Sequence, residues 1–132
     1  MSYNDGYLLG PHQISDGSLR FMCLSALLLQ PKELMPSVII IDEPELGLHP
    51  SAIAKLTGMI KIASRYAQII LATQSPNFVD HFDLDDIVIV ERNAFDGSSN
   101  FKRLDKDKLS EWLDEYTLSE LWEKNVIGGQ PA

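Results

Sequence analysis

Cysteine is almost missing from this chain, and that already narrows its setting. Cys23 is the only one in 132 residues, so no disulfide can form within the chain. Such a count suits a reducing compartment, and a cytoplasmic location is expected. No apolar run approaches the roughly 20 residues that a membrane-spanning helix needs. The N-terminus lacks the basic-then-apolar pattern of an export signal. Positive charge is also scarce: 11 Lys and Arg stand against 19 Asp and Glu, for a net charge of −8. Gripping a nucleic-acid backbone takes a clustered basic face, so direct nucleic-acid binding by this segment is not expected. Finally, the eight glycines are Gly6, Gly10, Gly17, Gly47, Gly58, Gly97, Gly128 and Gly129, and none precedes a lysine. The phosphate-cradling loop Gly-x-x-x-x-Gly-Lys-Ser/Thr is therefore absent from the sequence.

What is present is ordinary for a globular protein, with 45% apolar and 23% charged residues. The length is enough for one core, and a single domain over residues 1–132 is expected. Within it, Val38-Ile39-Ile40-Ile41 runs without polar alternation into Asp42, Glu43 and Pro44. Such a run reads as a strand buried on both faces. Pro44 ends it, because proline cannot donate to a ladder. Asp42 and Glu43 thus fall at the carboxyl edge of a buried strand, where open α/β sheets bind ligands. One carboxylate there suits Mg²⁺, and a second can orient or deprotonate a water. The plainer reading is a buried strand ending in a solvated acidic turn.

The stretch from Ser37 to Pro44 resembles the Walker B motif of P-loop NTPases, and its Asp-Glu pair narrows the resemblance to ABC-type ATPases and their repair and chromosome-maintenance relatives. The neighbouring residues extend it. Ile14-Ser15-Asp16-Gly17-Ser18 resembles the ABC signature motif Leu-Ser-Gly-Gly-Gln, with Ser15 and Gly17 matching, Asp16 in place of a glycine and Ser18 in place of the glutamine. Read by itself, the same stretch is an N-cap for the apolar run Leu19 to Leu29. That helix is apolar nearly all round, so burial on most sides is expected, with Cys23 as a small buried residue. Glu45-Leu46-Gly47-Leu48-His49-Pro50 corresponds to the D-loop. The whole Asp-Glu-Pro-Glu-x-Gly-Leu-His-Pro run looks like that of AAA ATPases similar to the recombination protein RecF. His49 reads either as a turn residue or as a metal ligand. Pro50 suits a first helical turn, and Ile53, Leu56, Ile60 and Ala63 follow the helical rhythm.

Gln68 to Thr73 is the next strand, and a helix between two apolar strands makes a parallel βαβ unit. Thr73-Gln74-Ser75-Pro76 resembles the switch motif Thr-His-Ser-Pro, with Gln74 at the histidine position. Glutamine can donate a hydrogen bond to a γ-phosphate oxygen but cannot carry a proton or charge there. Asp85 to Glu91 reads as a third strand, and Asn100 to Leu104 as an antiparallel edge. Residues 1–13 look loop-like, with a short strand at Tyr7 to Leu9. Helices are expected over 105–125, with Trp112 and Trp122 in core or lid packing. An extended tail is expected over 126–132.

The resemblance implies an α/β fold: the C-terminal part of an ABC-ATPase-like P-loop NTPase head, with a mostly parallel buried sheet flanked by helices and a small C-terminal helical segment. It implies ATP and Mg²⁺ as ligands once an upstream Walker A segment completes the head. Asp42 would hold the metal and Glu43 would orient the attacking water. Gln74 would sense the γ-phosphate. Ser15, Gly17, Ser18 and His49 would face nucleotide and partner. The partner would be a second head or the upstream N-terminal half. An alternative is a non-catalytic dimerisation or scaffold module derived from such an ATPase, which the Asp16 and Gln74 departures favour. A nucleotide-free metal hydrolase is weaker, because adjacent strand residues point to opposite faces and chelate one ion poorly.

Overall fold

The structure, a computed structural model, describes residues 15–130. The expected strand at Tyr7 to Leu9 lies outside them, as does Ile14. The chain divides into two compact units, Met1–Ala72 and Thr73–Ala132.

In the first unit, α1 (Asp16–Leu28) is followed by a 3-10 turn at Lys32–Leu34, β1 (Val38–Asp42), α2 (Pro50–Ala63) and β2 (Gln68–Ala72). The strands pair in parallel, Val38 opposite Gln68 through Asp42 opposite Ala72. Glu43 N–H carries the ladder one step further by donating to Ala72 O at 2.8 Å. This is the βαβ arrangement that the alternation of apolar runs predicts. Helix α2 starts where Pro50 occupies the first turn. It buries Leu56, Thr57, Ile60 and Ala63, spaced to form one face. The Thr57 hydroxyl is satisfied by donating to Ile53 O at 2.8 Å. Helices α1 and α2 pack on each other.

Two burial expectations are corrected here. Strand β1 is not covered on both faces: Ile39 and Ile41 are buried, whereas Ile40 is 71% exposed and Val38 lies open beside it. An apolar run satisfies a doubly covered strand but does not supply the second cover. Helix α1 likewise buries only Leu24 and Leu28, one i, i+4 stripe, and leaves Leu19, Met22, Leu27 and Leu29 exposed. Cys23 is exposed as well. One helix contact uses about one stripe, whatever the composition of the rest.

A close backbone approach ties the start of α1 to the loop after β1. A Cβ placed on Gly17 would sit 2.3 Å from the carbonyl oxygen of Gly47. Gly47 itself takes φ +74°, the left-handed region that glycine reaches without cost. Glycine at 17 is therefore a packing requirement.

The second unit holds α3 (Pro76–Val79), a 3-10 turn at Leu84–Asp86, β3 (Val88–Arg92), β4 (Ser99–Arg103), α4 (Lys106–Leu113) and α5 (Leu118–Glu123). The β3 and β4 strands form a hairpin of their own, Val88 opposite Arg103 and Arg92 opposite Ser99. The apolar Val88 and Val90 lie on its exposed face, while Ile89 joins a core with Leu84, Leu118, Leu121 and Trp122. Both late helices have local caps, α4 from Asp105 and α5 from a Thr117/Glu120 capping box. Lys106 Nζ bonds the Asp85 carboxylate, which raises its ammonium above the ordinary lysine value.

Of the tryptophans, Trp122 is core, whereas Trp112 is 45% exposed and tilts against Tyr116 at 5.9 Å between ring centres. Residues 126–130 of the tail make long-range contacts. Ile127 is buried, Gly129 N–H donates to Glu91 at 3.1 Å, and the Gln130 amide donates to Trp122 O and Glu123 O at 2.9 Å each. Helices α3 and α5 are joined by one carboxylate: Asp80 accepts from Ser119 N–H at 2.8 Å and from Ser119 Oγ at 2.6 Å.

Two glycine substitutions separate packing from propensity. Gly17→Ala is expected to lower the unfolding free energy by about 1–3 kcal/mol through the forced contact with Gly47. Gly58→Ala, in mid-α2 with open space around it, is expected to raise it by about 1 kcal/mol. Urea denaturation of the full chain reads both signs. By the same measurement, Asp80→Ala is expected to cost about 1–3 kcal/mol, because Ser119 loses a charged acceptor for both its donors. An unchanged midpoint would show the Asp80 link to be energetically idle.

Candidate functional site

The end of β1 is where the candidate residues of the first unit converge. Asp42 is the last strand residue and is exposed; Glu43 follows it, half-buried. Glu43 takes φ +45°, left-handed backbone that a non-glycine residue rarely adopts. Such a conformation costs on the order of 1–3 kcal/mol and persists only where the surroundings impose it. Three backbone features impose it here. Glu43 N–H is fixed to Ala72 O, and Glu43 O accepts from Leu46 N–H at 3.1 Å. Pro44 is fully buried immediately after it.

The fourth feature is a side chain that reading the sequence did not single out. Arg20, on the first turns of α1, directs Nη2 at the strand end. It donates to Asp42 O at 3.0 Å and to Glu43 O at 2.7 Å. The sequence did hold a signal for it: Arg20 is one of only two polar residues between Leu19 and Leu29. A guanidinium on so apolar a helix needs an acceptor.

The carboxylates themselves are left available. Among the described residues, neither the Asp42 nor the Glu43 carboxylate makes a hydrogen bond or ion pair. No group of three or more His, Cys, Asp or Glu side chains that could hold a metal ion is found among them either. The chain offers a carboxylate or two at a strand end. That donor set fits Mg²⁺, which takes one or two carboxylates from protein and completes its shell with water and substrate phosphates. It does not resemble a cage built wholly of protein ligands.

The remaining predicted residues are placed as follows. Ser15 is the N-cap of α1; its Oγ accepts from Ser18 N–H at 3.2 Å and donates to Ser18 Oγ at 2.8 Å. Gly17 meets Gly47 of the loop that continues from Glu43. Asp16 is exposed in the first turn, where a carboxylate complements the helix dipole. His49 caps α2, its Nδ1 accepting from Ser51 N–H at 3.3 Å. The signature-like turn, the strand end and the loop after it thus form one bonded cluster within the first unit. Gln74 belongs to the second unit. It is exposed beside Thr73, whose Oγ1 accepts from Ser75 N–H at 3.0 Å.

The chain is similar to known proteins. Two curated relatives, the energy-coupling factor transporter ATP-binding protein EcfA2 of Staphylococcus aureus strains bovine RF122 / ET3-1 and MRSA252, are each 26% identical over 106 residues. Each match takes in 77% of this chain but 35% of the relative, so the chain spans about a third of their length. A solved structure from work on ATP-driven dimerization and DNA-stimulated activation of SMC ATPases superposes with a TM-score of 0.55 at 20% identity, over 79% of this chain and 62% of that one. That likeness carries the fold: part of a P-loop NTPase. The family described as AAA domain, putative AbiEii toxin, Type IV TA system matches residues 1–80, more than half of the chain. The chain belongs to that family, and its domain is of the ABC/AAA ATPase type.

Proposed function

We propose that residues 1–132 form the Walker B-bearing part of an ATP-hydrolysing head, inactive until a Walker A segment outside this sequence completes the phosphate cradle. The observation that carries the reading is the pair of carboxylates, Asp42 and Glu43, at the carboxyl end of a parallel strand, without a partner among the described residues. The family match and the ABC-type relatives support it. Asp42 would hold Mg²⁺ in this scheme, directly or through water. The ion, when bound, would offset charge on the phosphate oxygens. Glu43, presented by its fixed backbone, orients a water and takes its proton. Gln74 donates a hydrogen bond to a γ-phosphate oxygen. Ser15, Gly17 and Ser18, with the loop that ends at His49, face the nucleotide of a second head, so that ATP joins two heads and hydrolysis parts them. The ATP-driven dimerization named for the SMC ATPases supports a dimer of heads, and the single cysteine supports a reducing, cytoplasmic setting. The net charge of −8 argues that any nucleic acid is gripped elsewhere in such an assembly.

The alternative is a scaffold or dimerisation module that no longer hydrolyses ATP, favoured by Gln74 in place of a charge-bearing histidine.

Phosphate release from Mg·ATP separates the two. The chain alone is expected to release none beyond a Glu43→Gln control. Co-expressed with a Walker A-bearing segment of its own gene neighbourhood or of a relative, it is expected to turn over, with Glu43→Gln lowering the rate about 10²-fold or more. Gln74→His is expected to raise the rate. A dimer by light scattering, with no turnover and an unmoved melting temperature on adding Mg·ATP, would establish the scaffold instead.

A further inference from the structure

We infer that Arg20 is a positioning residue for Glu43: its guanidinium sets the left-handed backbone from which the Glu43 carboxylate is presented. The inference deepens the ATPase reading and rests on it for its catalytic meaning, though not for its structural content.

The argument is geometric. A non-glycine residue at φ +45° relaxes to extended or helical backbone unless its peptide groups are held. Arg20 Nη2 bonds the two carbonyls on either side of the Glu43 nitrogen and α-carbon, Asp42 O at 3.0 Å and Glu43 O at 2.7 Å. Fixing both oxygens to one nitrogen restricts the rotations between them, which are those of Glu43. Charge-assisted bonds are the stronger kind, and one of this pair is partly buried. The base of Arg20 is itself anchored. Three residues earlier, Gly17 lies against the Gly47 backbone, so α1 cannot slide away from the loop without opening that contact. The arginine therefore links α1 rigidly to the turn that bears Glu43. Lysine would hold the link less firmly, because its ammonium has a shorter reach and a freer stem.

The test uses the full chain, with Arg20→Gln and Arg20→Lys compared to wild type by amide hydrogen exchange. The amides of Glu43 and Leu46 are expected to exchange about 3- to 10-fold faster in Arg20→Gln, the range set by one or two lost hydrogen bonds. Those of Ile60 in α2 and Ile70 in β2 should keep their wild-type rates. Arg20→Lys is expected to fall between, and it decides the matter if Arg20→Gln does not fold. Unchanged exchange at Glu43 and Leu46, or equal acceleration throughout the first unit, would overturn the inference.

In the Walker A-completed assembly, Arg20→Gln is expected to lower kcat and leave KM for Mg·ATP unchanged. Added to Glu43→Gln it should cost nothing further, since the group it positions is already lost. Equal loss in both backgrounds would reduce Arg20 to a general structural role. If the wild-type assembly does not hydrolyse ATP, the ATPase reading fails, and the exchange experiment still decides what Arg20 does.

Discussion

How the backbone leaves β1 governs the first unit. The strand has to stop at a point where two carboxylates stand side by side, and the chain then has to turn at once without burying either. It does so by taking Glu43 into left-handed backbone and placing a fully buried Pro44 behind it. Neither choice is cheap, and each is held by groups from other elements: Ala72 of β2, Arg20 of α1 and Leu46 of the same turn. Strain that the surroundings maintain is a recurrent property of sites that must present a side chain in one direction. Among the described residues the acidic groups meet no protein donor, while their backbone is heavily bonded. A water or a cation there has no partner among the described residues to displace.

Much of this was legible in the residues. The period of the apolar positions gave β1, α2 and β2. Ser15 as a cap and Pro50 in a first turn marked the starts of α1 and α2, because such chemistry is local, between residues a few positions apart. The position of Asp42 and Glu43 at a strand end followed from Pro44 alone. What was not legible depends on residues far apart in the chain. Nothing near Gly17 says that Gly47 lies against it, and nothing near Arg20 says that its acceptors are two backbone oxygens on a strand.

Burial is the other place where reading the sequence overshot. Composition states how much cover a segment can use, and the fold decides how much it receives. Ile40 and Val88 have the same character as Ile39 and Ile89, yet only the latter two are covered. The tail, expected only to be extended, is covered in part: Gly128 and Gly129 let the chain pass close to Ile89 and Glu91 while Ile127 enters the core. Local flexibility served a long-range contact, which no window of sequence reports.

The exposed Cys23 has a practical consequence. It is the sole thiol of the chain and lies one helical turn after Arg20 on α1. A maleimide dye or spin label would therefore attach at one place, without engineering, on the helix that grips the strand end. These 132 residues thus carry their own reporter position for following any displacement of that helix as ligands or a second subunit are added.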